Sequence, residues 1–276
     1  MKQETEKLPI LRVSQQGTSK IEDMVVKESP ITIFLNDQEL VTLLCSPTNL
    51  RYLVAGFLSS EGLIKSRGDI KEILVDDRRG VVRVQTEEDK EFATEFIFKR
   101  FITSGCGRGA SFYSAADVQG QARIESQVAI SALEVFSLVK EFQQYSTIYR
   151  ITHGVHSAAL CDVKSILVFA DEIGRHNAID KIFGQCLLED IPTNDRIILT
   201  SGRISSEILL KVAKRNIPVI ISKSAPTYLG VRLADDLGIT LIGFVRGKKM
   251  NAYTNDWRIA MDSEYKVRCA RSGSGD

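Results

Sequence analysis

The spacing of apolar and polar positions changes partway along the chain, and that change divides it. Early on, 31–36 and 41–44 are short apolar runs around Asp37-Gln38-Glu39, a pattern that predicts a β-hairpin. Ser46 followed by Pro47 reads as a helix start, a capping hydroxyl ahead of a first-turn proline. Leu50, Leu53, Val54, Phe57 and Leu58 recur at helical spacing, so one face of that helix is buried, and Gly62 is its stop. Runs at 70–75 and 81–85 flank Asp76-Asp77-Arg78-Arg79-Gly80 and predict a second hairpin. The stretch 87–100 is charged and mixed, with at most a short strand near Phe96 to Phe98. Together these elements describe a small α+β domain.

Further along, Ala132, Val135, Phe136, Val139 and Phe142 form a helical stripe. Beyond residue 155, β-rich runs at 157–161, 166–170, 196–200, 218–221 and 240–244 are separated by helical stretches near 176–188, 204–215 and 227–236. Strand–helix alternation at this spacing predicts an α/β layer built on a mainly parallel sheet. The expected organisation is α/β (α+β overall), with one domain over 1–125 and a second over 126–276 that ends in a polar tail.

Composition narrows the function classes. A chain of 276 residues, 43% hydrophobic, buries a substantial core in one or two domains. Its 36 basic and 35 acidic residues leave a net charge of +1, so no overall field recruits nucleic acid or a membrane surface. No run approaches the eighteen or so apolar residues of a membrane span, and no signal-peptide-like segment follows Met1-Lys2-Gln3. The expectation is a soluble, cytoplasmic protein.

The five cysteines, at 45, 106, 161, 186 and 269, are odd in number and far apart, which argues against a disulfide framework or a four-cysteine zinc site. Cys45, Cys161 and Cys186 sit in apolar contexts and are expected in the core, whereas Cys269 lies in the polar tail. Cys106 differs from all of them. It stands in Thr103-Ser104-Gly105-Cys106-Gly107-Arg108-Gly109-Ala110, where glycines clear bulk from the sulfur and Arg108 favours the nucleophilic thiolate. The same eight residues also suit a flexible connector.

In open α/β sheets, ligands bind beyond the carboxyl ends of the strands. Here those ends carry Ser201-Gly202-Arg203, Ser222-Lys223-Ser224-Ala225-Pro226 and Val245-Arg246-Gly247-Lys248-Lys249. Each loop joins a cation to small residues, and two of the three lead into an expected helix N-terminus, a combination that suits a phosphate-bearing ligand. Cations populate ordinary loops as well. His153, His156 and His176 lack a completed zinc spacing, so no metal site is expected. The segment from Asp171 to Lys181 is dense in functional side chains, among them Arg175, His176 and Asp180. Helix capping and a solvated helix face with i,i+4 pairs such as His176–Asp180 are alternative explanations for it.

Several stretches, in order, carry a family resemblance: Ala55-Gly56-Phe57-Leu58-Ser59-Ser60-Glu61-Gly62, Thr103 to Gly107, Asp171 to Lys181, Leu199-Thr200-Ser201-Gly202-Arg203, Lys223-Ser224-Ala225-Pro226-Thr227, and Leu241 to Gly247. Over roughly residues 30 to 255 the chain resembles the FdhD family, accessory sulfurtransferases of formate dehydrogenase. The resemblance implies that a cysteine desulfurase passes persulfide sulfur to Cys106. It further implies delivery of that sulfur to the molybdenum bis(molybdopterin guanine dinucleotide) cofactor needed by formate dehydrogenase. A homodimer and a C-terminal layer similar to the three-layer cytidine deaminase fold are also implied. Carried over by position, Phe244, Val245, Arg246, Gly247, Lys248 and Lys249 would contact the cofactor. Ser201, Gly202, Arg203, Ser224, Ala225, Pro226 and Thr227 would line the same pocket for a guanine nucleotide. His156, Arg175, His176 and Asp180 are expected to shape the site. Many members carry a second cysteine three residues after the first; Gly109 stands there in this chain, which excludes a two-thiol relay within the loop. The layer also lacks the His-x-Glu and Pro-Cys-x-x-Cys zinc signature, so deaminase activity is not implied. A non-catalytic cofactor chaperone is the alternative function, and a thiol or zinc hydrolase a more distant one.

Overall fold

The structure, a computed structural model, describes residues 4–87 and 122–260. The Cys106 loop, the expected strand near Phe96 to Phe98 and the tail with Cys269 lie outside the described residues. The described helices are α1 Leu50–Ser60, α2 Ala132–Tyr145, α3 Thr147–Thr152, α4 Arg175–Leu188, α5 Ser206–Ala213 and α6 Tyr228–Asp236. None is long and apolar enough to cross a membrane. Packing divides the described chain into two units. The first takes 4–87, 146–158 and 170–192; the second takes 122–145, 159–169 and 193–260. The partition is therefore not a single cut near residue 125, because two later segments pack with the early one.

In the first unit, β1 Thr5–Ser14 and β2 Gly17–Val26 form a two-stranded antiparallel ribbon. Strands β3 Ser29–Leu35, β4 Gln38–Cys45, β5 Ile70–Asp76 and β6 Val81–Thr86 form a sheet in the order β4-β3-β6-β5. Both expected hairpins are present, and the parallel pairing of β3 with β6 joins them. One face of this sheet, including Ile31, Ile33, Leu43, Val82 and Val84, packs against Leu53, Val54, Phe57 and Leu58 of α1. Ser46 does not cap α1. The N-cap is Asn49, in the left-handed region, with no side-chain cap bond. Gly62 follows the helix at φ +80°, the positive angle its stop requires.

Helices α1 and α4 cross at backbone contact. A Cβ on Gly56 would stand 1.8 Å from the Asp180 carbonyl oxygen, and one on Gly184 would stand 1.8 Å from that of Tyr52. Only glycine permits this reciprocal approach. It explains why α4 is buried along most of its length, His176 to Gly184 included, although it carries His, Asp and Lys.

A six-stranded sheet runs β13-β12-β11-β10-β8-β9, with β8 His156–Cys161, β9 Ile166–Glu172, β10 Ile197–Thr200, β11 Val219–Ser222, β12 Thr240–Arg246 and β13 Lys249–Thr254; all of it belongs to the second unit except the first three residues of β8 and the last three of β9, which belong to the first. Strands β10, β11 and β12 are parallel neighbours, and β13 returns antiparallel to β12. Every residue of β10 and β11 is buried, as expected of strands covered on both faces. On one face, Ile197, Leu199, Val219, Ile221 and Ile242 pack with Val135, Leu138, Val139 and Phe142 of α2. Short strands β7 Ile130–Ser131 and β14 Ile259–Ala260 pair in parallel beside it.

Candidate functional site

The carboxyl ends of β10, β11 and β12 meet in one bonded cluster. The Ser222 hydroxyl donates to the Gly202 carbonyl at 2.7 Å, and the Ser224 hydroxyl donates to that of Ser201 at 2.9 Å. The Ile204 N–H reaches the Ala225 carbonyl at 3.3 Å, and the Thr227 N–H returns to the Ile204 carbonyl at 2.9 Å. The third loop joins through the Phe244 N–H, 3.2 Å from the Ser224 carbonyl. Ser201, Gly202, Ser224, Ala225, Thr227 and Phe244 are thus brought together, and Pro226 forms a bridge with Ile204. The third loop differs from its expected form. β12 continues to Arg246, and a turn at Gly247 and Lys248, with Gly247 at φ +59°, leads into β13.

Phe244 is the strained point of this cluster. It holds φ at +53° inside an irregular stretch of the β12–β13 pairing, yet its ring is 39% exposed. A non-glycine residue held there costs on the order of 1–3 kcal/mol and persists only where the surroundings impose it. The Arg246 guanidinium lies 5.5 Å from the centre of the Phe244 ring. Lys223 is half-buried, and burial first, then the Arg246 charge, pushes its amine below the ordinary lysine range. Among the described residues, no carboxylate pairs with Arg203, Lys223, Arg246, Lys248 or Lys249. Val245 is buried and packs in the hydrophobic core of the second unit.

The two helices that leave these loops differ at their first turns. The Thr227 hydroxyl caps α6 by accepting from the Gly230 N–H at 3.1 Å. Ser205 precedes α5 without a side-chain cap bond, and its buried hydroxyl has no partner. Ser205 thus gives the first turn of α5 no side-chain cap, and the Arg246 and Lys223 cations repel one another. A group bearing several negative charges, such as a phosphate, relieves that repulsion.

The Asp171–Lys181 segment belongs to a separate cluster, within the first unit. Glu172 Oε2 lies 2.6 Å from Lys181 Nζ, both side chains almost fully buried. Glu172 Oε1 also accepts from the Ser46 N–H at 2.6 Å and the Ile173 N–H at 2.8 Å. Ser46 therefore ties β4 to the end of β9. Asp180 accepts from the Ser60 hydroxyl at 2.7 Å, and the Asn177 amide donates to the Leu44 carbonyl at 3.0 Å. Asp171 receives the Ser146 and Ser157 hydroxyls at 2.7 Å and 2.6 Å. Burial raises its carboxyl above the usual range despite those bonds. A solvated helix face is thereby overturned as the explanation of the segment, since His176 and Asp180 are both buried. Arg175 opens α4 and His156 opens β8, while His153 ends α3 with its ring against Tyr149. The sequence marked Glu172 and Lys181 only as part of the dense Asp171–Lys181 segment, and nothing in it linked Ser46 and Ser60 to them.

The described thiols match the expected core positions, with Cys45, Cys161 and Cys186 all buried. The Cys45 thiol is pushed up to about 12, by burial and then by Glu172, with Lys181 opposing. Cys161 is also pushed up to about 12, by burial and then by Glu141 and Asp162. Both stay protonated and inert at neutral pH. No group of three or more His, Cys, Asp or Glu among the described residues is placed to hold a metal.

Comparison with known proteins places the chain in a family. The sulfur carrier protein FdhD of Bacillus pumilus (strain SAFR-032) is 46% identical over 237 residues, covering 86% of this chain and 90% of that protein. Its namesake in Bacillus subtilis (strain 168) is 44% identical over 250 residues, covering 91% and 95%. A crystal structure from Desulfotalea psychrophila, described as that of a formate dehydrogenase accessory protein, superposes with a TM-score of 0.77 at 27% identity. It covers 93% of this chain and 100% of that one. The FdhD/NarQ family profile matches residues 26–260, nearly all of the described fold, and the chain belongs to that family.

Proposed function

We propose that the protein is a sulfur carrier in formate dehydrogenase maturation, with Cys106 as the carrying residue. The observation that carries the reading is the division of the thiols. Cys45, Cys161 and Cys186 are buried, whereas Cys106 has glycines and Arg108 beside it. The Cys106 thiolate attacks the outer sulfur of a persulfide on a cysteine desulfurase. One S–S bond forms on Cys106 as the donor's breaks, and the donor leaves as a thiolate. Release as sulfide takes up two electrons, from a thiol reductant or from the acceptor itself, and returns Cys106 as a thiolate.

The acceptor in this reading is the molybdenum bis(molybdopterin guanine dinucleotide) cofactor, held as cargo. Lys223, Arg246 and Arg203 would meet its phosphates, and the exposed Phe244 ring would offer a face to guanine or pterin. A free guanine nucleotide would occupy the same place. The protein works as a homodimer in the cytoplasm, where thiols stay reduced. A second reading, a cofactor chaperone without sulfur chemistry, draws on Gly109 and on the unpaired loop cations.

The test is intact-protein mass after incubation with an active cysteine desulfurase and cysteine. A thiol-reducible gain of one sulfur, about 32 Da, that is absent in Cys106→Ser is the expected result. No adduct on the wild-type protein would reject the carrier and leave the chaperone. Full formate dehydrogenase activity with Cys106→Ser would do the same.

A further inference from the structure

Strand β13 is the outermost strand of the six-stranded sheet, yet one of its side chains reaches into the strand-end cluster. A Cβ on Gly243 would stand 3.0 Å from Tyr253 Cε2, 3.2 Å from the Ser224 carbonyl oxygen and 3.3 Å from Pro226 Cδ. The Tyr253 ring, which starts on β13, and two residues of the loop after β11 therefore converge on one point of β12. A side chain at 243 would hold them apart, and glycine lets the ring lie across the strand.

Register places the cations on the same side. Gly243 pairs with Asn251 and Arg246 pairs with Lys249, and residues paired across an antiparallel ladder share a face. Lys249 and Asn251 are two residues apart on β13, so all four positions lie on one face. Met250, between them, packs with Ile242 and Val245 in the core on the other face. The Tyr253 hydroxyl accepts from the Asn251 amide at 3.4 Å, and the Tyr253 ring is half-buried. Pro226 and Tyr253 thus stand at one end of this face. At the other end stand Arg246 and, close enough to feel its charge, Lys223. Gly243 and Arg246 are three residues apart, at most roughly 10 Å of extended chain.

A nucleotide has this form, a planar base at one end and phosphates at the other with a sugar between. Free phosphate would use only the cations, and an apolar ligand only the rings. We propose that Tyr253 is a base-binding residue, the ring on which the guanine of a guanine nucleotide stacks while Arg246 and Lys223 hold its phosphates. Tyrosine suits the task because its face takes the base and its hydroxyl stays bonded to Asn251. The inference deepens the cargo pocket proposed above and rests on it. A free guanine nucleotide and the nucleotide end of the cofactor share the chemistry that it reads. A tyrosine that only packs on a strand glycine would support the whole cluster, so its loss would weaken base and phosphate binding alike.

The experiment is calorimetric titration of the full chain with guanosine diphosphate and, separately, with inorganic pyrophosphate. Wild type is compared with Tyr253→Leu and Tyr253→Phe. In Tyr253→Leu, the dissociation constant for guanosine diphosphate should rise about 10-fold or more, while that for pyrophosphate stays within about two-fold. Tyr253→Phe keeps the ring and should stay within about three-fold for both ligands. Equal losses of both ligands in Tyr253→Leu would make the ring a structural support and overturn the inference. So would an unchanged nucleotide affinity in Tyr253→Leu, or a loss in Tyr253→Phe as large as in Tyr253→Leu. A wild type that binds pyrophosphate as tightly as the nucleotide would overturn the base subsite and leave the phosphate site standing. A wild type that binds neither would overturn the pocket and the inference together. If the loss is confined to the nucleotide, maturation of formate dehydrogenase by Tyr253→Leu separates the two sources. Failed maturation assigns the subsite to the cofactor, and full maturation assigns it to a free nucleotide.

Discussion

Gly56→Ala tests the helix crossing that brings the Asp171–Lys181 segment into the interior. Within a helix, alanine is preferred to glycine by about 1 kcal/mol, so the change should stabilise an isolated α1. Here the new Cβ would meet the Asp180 carbonyl oxygen at 1.8 Å, its carbon at 2.6 Å and the Gly184 nitrogen at 2.8 Å. All three are backbone atoms, so no rotamer relieves the overlap. Restoring van der Waals contact needs the helices to part by about 1.5 Å. That movement unpacks Leu53 and Phe57 at the front of α1 and stretches the Ser60–Asp180 and Asn177–Leu44 hydrogen bonds. Overpacking ordinarily costs about 1–3 kcal/mol and more where backbone meets backbone, so about 4 kcal/mol less the propensity gain leaves a loss of about 3 kcal/mol. At about 2–4 °C per kcal/mol, melting should fall by about 6–12 °C. Denaturant unfolding of Gly56→Ala beside Gly68→Ala gives the comparison, since the nearest atom to a Cβ on Gly68 is the Ser66 hydroxyl at 3.5 Å. If Gly56→Ala stayed within about 0.5 kcal/mol of wild type, α1 and α4 would not be in backbone contact and the reasoning would fail.

Three further predictions concern charge. Arg246→Ala should weaken guanine nucleotide binding by about 10- to 100-fold, as for a lost charge-assisted contact, while persulfide loading of Cys106 is unchanged; calorimetry and mass spectrometry read the two separately. Nucleotide affinity should also decline as pH rises toward the ordinary lysine value of 10.5, starting below it, because Lys223 loses its proton early. A flat profile would remove Lys223 from the site. Asp171 carries the opposite sign to a salt-bridged acid. Its folded value is raised, so its contribution to stability is most favourable below the ordinary 3.8 and diminishes as pH rises through the folded value. Asp171→Asn should flatten that part of the stability profile, and an unchanged slope in unfolding titrations across mildly acidic pH would refute the assignment.

Local pattern was enough to read most elements. The α4 stretch, expected at 176–188, is found at Arg175–Leu188, and 227–236 is found at Tyr228–Asp236. These elements are legible because periodicity and caps act over a few residues. The β1–β2 ribbon and β13 were not anticipated. Their strands mix charge and apolar residues on both faces, so no clean alternation marks them. Ser46 shows the same limit from another side. Its place before Pro47 suggested a cap, yet its N–H and hydroxyl serve Glu172 and Ile173, more than a hundred residues away.

Order along the chain settles the strand–helix alternation, the family, and the set of residues worth asking about: Cys106 in its glycines, and cations after three strands. Each depends on neighbours along the chain or on motifs in register. Which of those residues meet depends on how the strands and helices pack. The parallel pairing of β10, β11 and β12 aligns three loops distant in sequence, so Ser201, Ser224 and Phe244 share hydrogen bonds and Arg246 bears on Lys223. The Gly56–Gly184 crossing removes His176, Asp180 and Lys181 from solvent, and burial then forces Lys181 onto Glu172. A buried charge must find its partner wherever the fold brings one, and that partner need not be near in sequence.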